Sequence, residues 1–157
     1  MKDVFFSLRP KQWAKNLFIF LPLIFGAKLF IFPDNLKTVI AFCLFSLAAS
    51  AVYIMNGIID IEKDKFHPIK RLRPIASGKV SVSHAAITAF IVGILAIALS
   101  FILNAYFGCL IISYFIFNFL YSKILKDLVI IDMFCISGFF LLRIISGSVV
   151  SGVNLSH

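Results

Sequence analysis

The chain has 157 residues, 61% hydrophobic and 14% charged, with 19 Phe and a mean hydropathy of +1.04. An ordinary soluble domain is about 45 to 50% apolar and about 25% charged, so a soluble globule, a disordered chain and a disulfide or collagen-like scaffold are excluded. Fifteen Lys and Arg against seven Asp and Glu give +8, which in a membrane chain marks cytoplasmic loops and anionic head groups rather than a nucleic-acid face.

About 20 apolar residues make one membrane span, and the sequence reads as an all-α, polytopic transmembrane bundle of about five spans in a single domain. Residues 1–16 mix Phe5, Phe6 and Trp13 with Lys2, Arg9, Lys11 and Lys15, the pattern of an amphipathic interfacial helix. A first span is expected from Leu17 to Phe32, a turn at Pro33, Asp34 and Asn35, and a second span from Thr38 to Ile59. Asp60 to His84 is the only long polar stretch. A third span follows from Ala85 to Leu103, and a turn near Asn104 leads to a fourth ending near Tyr121. Tyr121 to Asp127 is a short basic loop, and a fifth span from Leu128 to Val153 carries Asp132 and Arg143 within it. Helices are required, because open strands leave backbone groups unpaired in hydrocarbon.

Five spans put the N-terminus, the 60–84 loop and the 121–127 loop on one side, with twelve of the fifteen Lys and Arg. By the positive-inside rule that side is cytoplasmic, and the inner membrane of the cell is the expected location. Cys43, Cys109 and Cys135 stand apart in apolar stretches, and His67, His84 and His157 make no cluster. A metal site of His and Cys is therefore not expected.

Asn56, Asp60 and Asp64 are spaced by four. On a continuing helix they share a face, about 6 Å apart per step. Magnesium takes hard oxygen ligands and in phosphate chemistry uses one or two carboxylates plus substrate phosphate, so this row is a candidate Mg²⁺ site bridging to a diphosphate, with Lys70, Arg71 and Arg73 placed to neutralise the rest. The plainer alternative is a solvated membrane boundary. Lys123, Lys126 and Asp127 read either as a topology signal or as a second phosphate contact. Arg143, midway along a span, needs a buried partner or a substrate anion. Asp132 lies about 16 Å away along the same helix, too far to serve.

These residues carry a resemblance. NGIIDIEKD from Asn56, followed by HPIKRLRPIASG, resembles the first aspartate-rich motif of the UbiA superfamily of intramembrane prenyltransferases. RPKQWAKN at Arg9–Asn16, YSKILK at Tyr121–Lys126 and LLRIISG at Leu141–Gly147 are similar to its decaprenyl-phosphate phosphoribosyltransferase branch. The resemblance implies that Asn56, Asp60 and Asp64 bind Mg²⁺ with the donor diphosphate, Asp60 and Asp64 being the catalytic carboxylates. It implies phosphate or substrate contacts from Lys15, Lys70, Arg71, Arg73, Lys126 and Arg143. Gly57 departs from it, standing where the family often has Asp.

The family's bundles have about nine helices and a second Asp-rich motif, so this chain is expected to be the N-terminal part of such a domain, with the C-terminal half as a missing partner. The implied function is transfer of 5-phosphoribosyl from phosphoribosyl diphosphate to a polyprenyl phosphate at the membrane. The alternatives are prenyl transfer to an aromatic or tetrapyrrole acceptor, an inactive membrane fragment, and a scaffold or transporter part whose charges only satisfy one another.

Overall fold

The computed structural model describes residues 6–125 and 129–153. Among them every regular element is helical. A 3-10 helix over Pro10–Phe20 continues directly into α1 (Leu21–Phe25). Then come α2 (Asp34–Ile59), α3 (Ile61–Phe66), a 3-10 turn at Lys70–Leu72, α4 (Val82–Leu103), α5 (Ala105–Leu120), a π-helical turn at Tyr121–Leu125 and α6 (Val129–Ser151). Four helices are long and apolar enough to cross a membrane: Asp34–Ile59, Val82–Leu103, Ala105–Leu125 and Ile130–Ser151.

These four match the last four expected spans. The first expected span differs. No break separates an element ending at Asn16 from one starting at Leu17. One helical rod runs from Pro10 to Phe25, and the chain has already left it at Gly26, where Ala27 takes a positive φ of 54°. Eleven residues at about 2.0 Å and five at about 1.5 Å give this rod a length of about 30 Å, but it is not among the helices long and apolar enough to cross a membrane, so four such helices stand where about five spans were expected.

The rod's face explains its geometry. In a 3-10 helix side chains three apart eclipse, and Trp13, Asn16, Ile19 and Pro22 recur at that spacing. Asn16, Ile19 and Pro22 are buried and Trp13 is half-buried, whereas Lys11, Ala14, Lys15, Leu17 and Phe18 are exposed. The buried stripe lies against α2 and α6. At Gly147 of α6 a Cβ would collide with the Ile19 carbonyl, so the two backbones touch there. Such contacts are how helices approach in lipid, where small residues rather than hydrophobicity set the distance.

The same rule builds the rest. The buried stripe of α4 is Ala85, Ala89, Gly93, Ala96 and Ser100, all small and three or four apart, and it packs on α2. The core on α2 is Ala41, Leu44, Phe45, Ala48, Ala49 and Val52, closed by Phe107, Ile111 and Tyr114 of α5. Ser81 accepts the His84 N–H at the start of α4, and Asn104 accepts the Phe107 N–H at the start of α5. Both are ordinary N-caps that end the adjoining turns. At one end of the bundle Lys28 lies 3.3 Å from Asp34 and 3.4 Å from the carbonyls of Ser151 and Gly152, a cation on the carboxyl end of α6. The Asp row lies at the opposite end.

Candidate functional site

α2 ends at Ile59, and Asp60 is the joint to α3, with φ −90° and ψ 8°. The helical hydrogen bonding survives the joint: the Asp60 N–H donates to the Asn56 carbonyl at 2.9 Å and the Asp64 N–H to the Asp60 carbonyl at 2.8 Å. Asn56, Asp60 and Asp64 therefore stay in one row. Asn56 and Asp60 are half-buried, and Asp64 is buried.

After α3 the chain turns back. Arg73 is extended (φ −62°, ψ 142°), as a residue before proline should be, and Ile75 and Val80 bury themselves against Ile54, Ala85 and Ala89. That anchor delivers Arg73 to the row. Its guanidinium donates to Asp64 Oδ2 at 2.6 Å, with the Asp64 side chain only 4% exposed and that of Arg73 34%. A buried carboxylate bonded by a half-exposed arginine is fixed, yet its partner has donors to spare for a second anion.

A cavity of about 380 Å³ opens beside this pair. Asp64 and Arg73 share its wall with Arg9, Lys79, Tyr53 and Gly57. Arg9 sits with its guanidinium carbon 5.5 Å from the Tyr53 ring centre. Burial and then the neighbouring Arg73 lower the Arg9 pKa from its ordinary value, while Asp64 and Asp60 oppose that shift; a guanidinium stays protonated throughout. Three cations and at least one carboxylate thus face one small volume, a composition suited to a polyanion bound beside a cation.

Every expected site residue except Lys126 lies among the described residues. Asp64 and Arg73 are brought together at the cavity, with Asp60 close enough to act on Arg9. Lys70 and Arg71 lie exposed on the 3-10 turn just outside. Lys15 is exposed on the rod, away from its buried stripe. Lys126 lies outside the described residues; in the same loop Lys123 rests 4.6 Å from the centre of the Phe119 ring. Arg143 is not brought to the row. It is 4% exposed, its Nε donating to Asn16 Oδ1 at 2.8 Å and an Nη to the Phe139 carbonyl at 2.6 Å. The rings of Phe45, Tyr114 and Phe140 surround it at 5.2–5.7 Å. Asp132 accepts from Tyr121 Oη at 2.6 Å, which ties α6 to the end of α5.

Sequence reasoning passed over Arg9, Lys79 and Asn16 as functional side chains. Arg9 has one local mark, the Arg-Pro step that starts the rod. Its backbone is left-handed (φ 52°, ψ 59°), a conformation rare outside Gly and one that a following proline disfavours.

A model of the UbiA prenyltransferase family matches residues 17–156. The chain belongs to the UbiA prenyltransferase family. With its four long apolar helices it is an integral membrane protein. It is 38% identical over 155 residues to the decaprenyl-phosphate phosphoribosyltransferase of Corynebacterium glutamicum, covering 96% of this chain and 47% of that one. It is 34% identical over 154 residues to the Mycobacterium tuberculosis protein of the same name, covering 96% and 51%. An uncharacterized protein of Sinorhizobium fredii is 35% identical over 156 residues, covering 99% of this chain and 30% of its own. The chain spans about half the length, or less, of these curated relatives. Within this UbiA chain the departure at Gly57 is informative, because Gly57 lines the cavity with Tyr53 and Asp64. A side chain there would begin 3.2 Å from Ile75 Cδ1, which would have to give way.

Proposed function

We propose that this chain forms the diphosphate-holding half of a membrane transferase that moves 5-phosphoribosyl from phosphoribosyl diphosphate to a polyprenyl phosphate, and that the C-terminal half of the UbiA-type domain completes the site. The supporting observation is the Asp64–Arg73 pair in a cavity that also carries Arg9 and Lys79, in a chain that aligns over almost its whole length with decaprenyl-phosphate phosphoribosyltransferases.

Among the described residues no three His, Cys, Asp or Glu side chains converge as a cage for an ion. Asp64 and Asp60, one helical turn apart, are the residues that would hold magnesium, an ion that takes one or two carboxylates in phosphate chemistry, with the Asn56 amide a further turn away. Bound there, the ion supplies charge neutralisation for a departing diphosphate. The chain's own residues do the rest. Arg73, Arg9 and Lys79 hold the diphosphate oxygens, and Lys70 and Arg71 at the mouth, together with Lys15 and Lys126, draw the anionic substrates to this face. An oxygen of the lipid phosphate attacks the anomeric carbon of the ribose. The bond from that carbon to the diphosphate oxygen breaks, and inorganic diphosphate leaves with the electron pair. No side chain need become a nucleophile, so the catalysis is positioning plus electrostatic stabilisation. In this reading the face that takes both anionic substrates is the cytoplasmic one, in line with its cations.

The test uses the full-length protein in detergent with Mg²⁺, polyprenyl phosphate and labelled phosphoribosyl diphosphate. Label should enter the lipid, and Asp60→Asn and Asp64→Asn should each cut turnover roughly 100-fold while the protein still inserts. Transfer of a prenyl group instead of ribose phosphate, or full turnover in both variants, overturns this assignment.

A further inference from the structure

The rod that carries Arg9 is fastened to α2 rung by rung. Asn16 Nδ2 donates to Ser46 Oγ at 3.0 Å, and Trp13 Nε1 donates to Ser50 Oγ at 2.9 Å. The single Ser50 hydroxyl proton is shared between the Leu8 carbonyl at 2.9 Å and the Ser46 carbonyl of its own helix at 2.8 Å. The next side chain along this face is Tyr53, under Arg9. The spacing is commensurate: three residues of 3-10 helix rise about 6 Å, as do four residues of α-helix, so an antiparallel 3-10 rod stays in step with α2 where an α-helical rod would pair different residues. Asn16 is the deepest hydrogen-bonded rung, 1% exposed, and it is gripped from the other side by Arg143 of α6.

Arg9 needs such a fastening. A left-handed residue ahead of a proline is strained, and strain of this kind persists only where the surroundings over-determine it. We infer that Asn16, held between Arg143 and Ser46, is a positioning residue that sets where the Arg9 guanidinium stands in the cavity, and that Arg143 acts through this clamp and not by touching substrate. The inference goes beyond the proposed function and rests on that reading only for what Arg9 binds.

The experiment uses the chain in detergent with three readouts: the rate of phenylglyoxal modification at Arg9 by mass spectrometry, the emission of Trp13, which is the single tryptophan, and affinity for inorganic pyrophosphate. Asn16→Ala should speed modification of Arg9, shift Trp13 emission to the red and weaken pyrophosphate binding roughly tenfold. In an Arg9→Gln background it should weaken binding no further, the mark of a shared path. Asn16→Asp, which keeps the acceptor for Arg143, should restore most of each signal. If Asn16→Ala is not monodisperse, Ser46→Ala removes one rung alone and should move the same readouts in the same direction. Unchanged Arg9 modification and Trp13 emission, or equal losses of affinity with and without Arg9, overturn the inference. A wild-type chain that does not bind pyrophosphate overturns the functional reading instead, and the first two readouts still decide the clamp.

Discussion

Arg73 and Arg143 belong to the same small bundle and are solved by opposite means. Arg73 is half-exposed at a cavity mouth and faces a full negative charge, Asp64. Arg143 is buried at mid-bundle and is bonded to neutral groups, the Asn16 amide and the Phe139 carbonyl among them, inside three aromatic rings. The difference teaches how each can be used. A guanidinium whose hydrogen bonds end on fixed neutral groups in a closed box is part of the scaffold. One that shares a carboxylate beside an open volume can extend its remaining donors to a phosphate. Mid-span charge alone therefore does not identify a substrate contact; the partners and the adjacent space do.

The largest effect should come from emptying the closed box. Arg143→Ala removes the packing between three rings and leaves Asn16 Oδ1 without its guanidinium donor, a loss of about 4 kcal/mol, which at this chain length lowers a detergent melting midpoint by about 10 °C. A midpoint within a degree or two of wild type would break the contrast. Arg73→Gln should do less to melting than Arg143→Ala and more to binding, weakening pyrophosphate affinity about tenfold, measurable by calorimetry. Smaller still is the response to salt. Raising ionic strength from about 0.1 to 1 M shortens screening from about 10 to 3 Å, so pyrophosphate binding at the Arg73 mouth should weaken several-fold while the Arg143 contribution to melting holds. The smallest is Tyr121→Phe, which deletes the bond to Asp132 and should cost about 0.6 kcal/mol, near the average for such bonds between membrane helices; a larger loss would mean that Asp132, too, is a buried charge dependent on one donor.

The row at Asn56, Asp60 and Asp64 was legible because its spacing equals the helical repeat, and the hydrogen bonds across the Asp60 joint keep that repeat in force. The four later spans were legible for a similar reason, since uninterrupted apolar length has one outcome in lipid. The first expected span, Leu17 to Phe32, is not among the helices long and apolar enough to cross a membrane: hydropathy marks Leu17 as a start, whereas the rod begins at Pro10 and buries a period-three face on which Lys11 and Lys15 simply point outward. The pattern Trp13, Asn16, Ile19, Pro22 stood in the sequence, but a period of three is read as a rod only once Ser46, Ser50 and Gly147 are known to lie opposite it.

Composition, the long apolar runs and the four-residue acid row settle what depends on neighbours along the chain: a helical membrane protein with carboxylates lined up at one end of its second segment. Which carboxylate is buried, which arginine reaches it, and that Asn16 rather than Asp132 satisfies Arg143 across 127 positions are decided by contacts between segments. Those contacts depend on small residues letting backbones meet and on two helices of different pitch keeping step, and neither is a property of any one stretch of sequence.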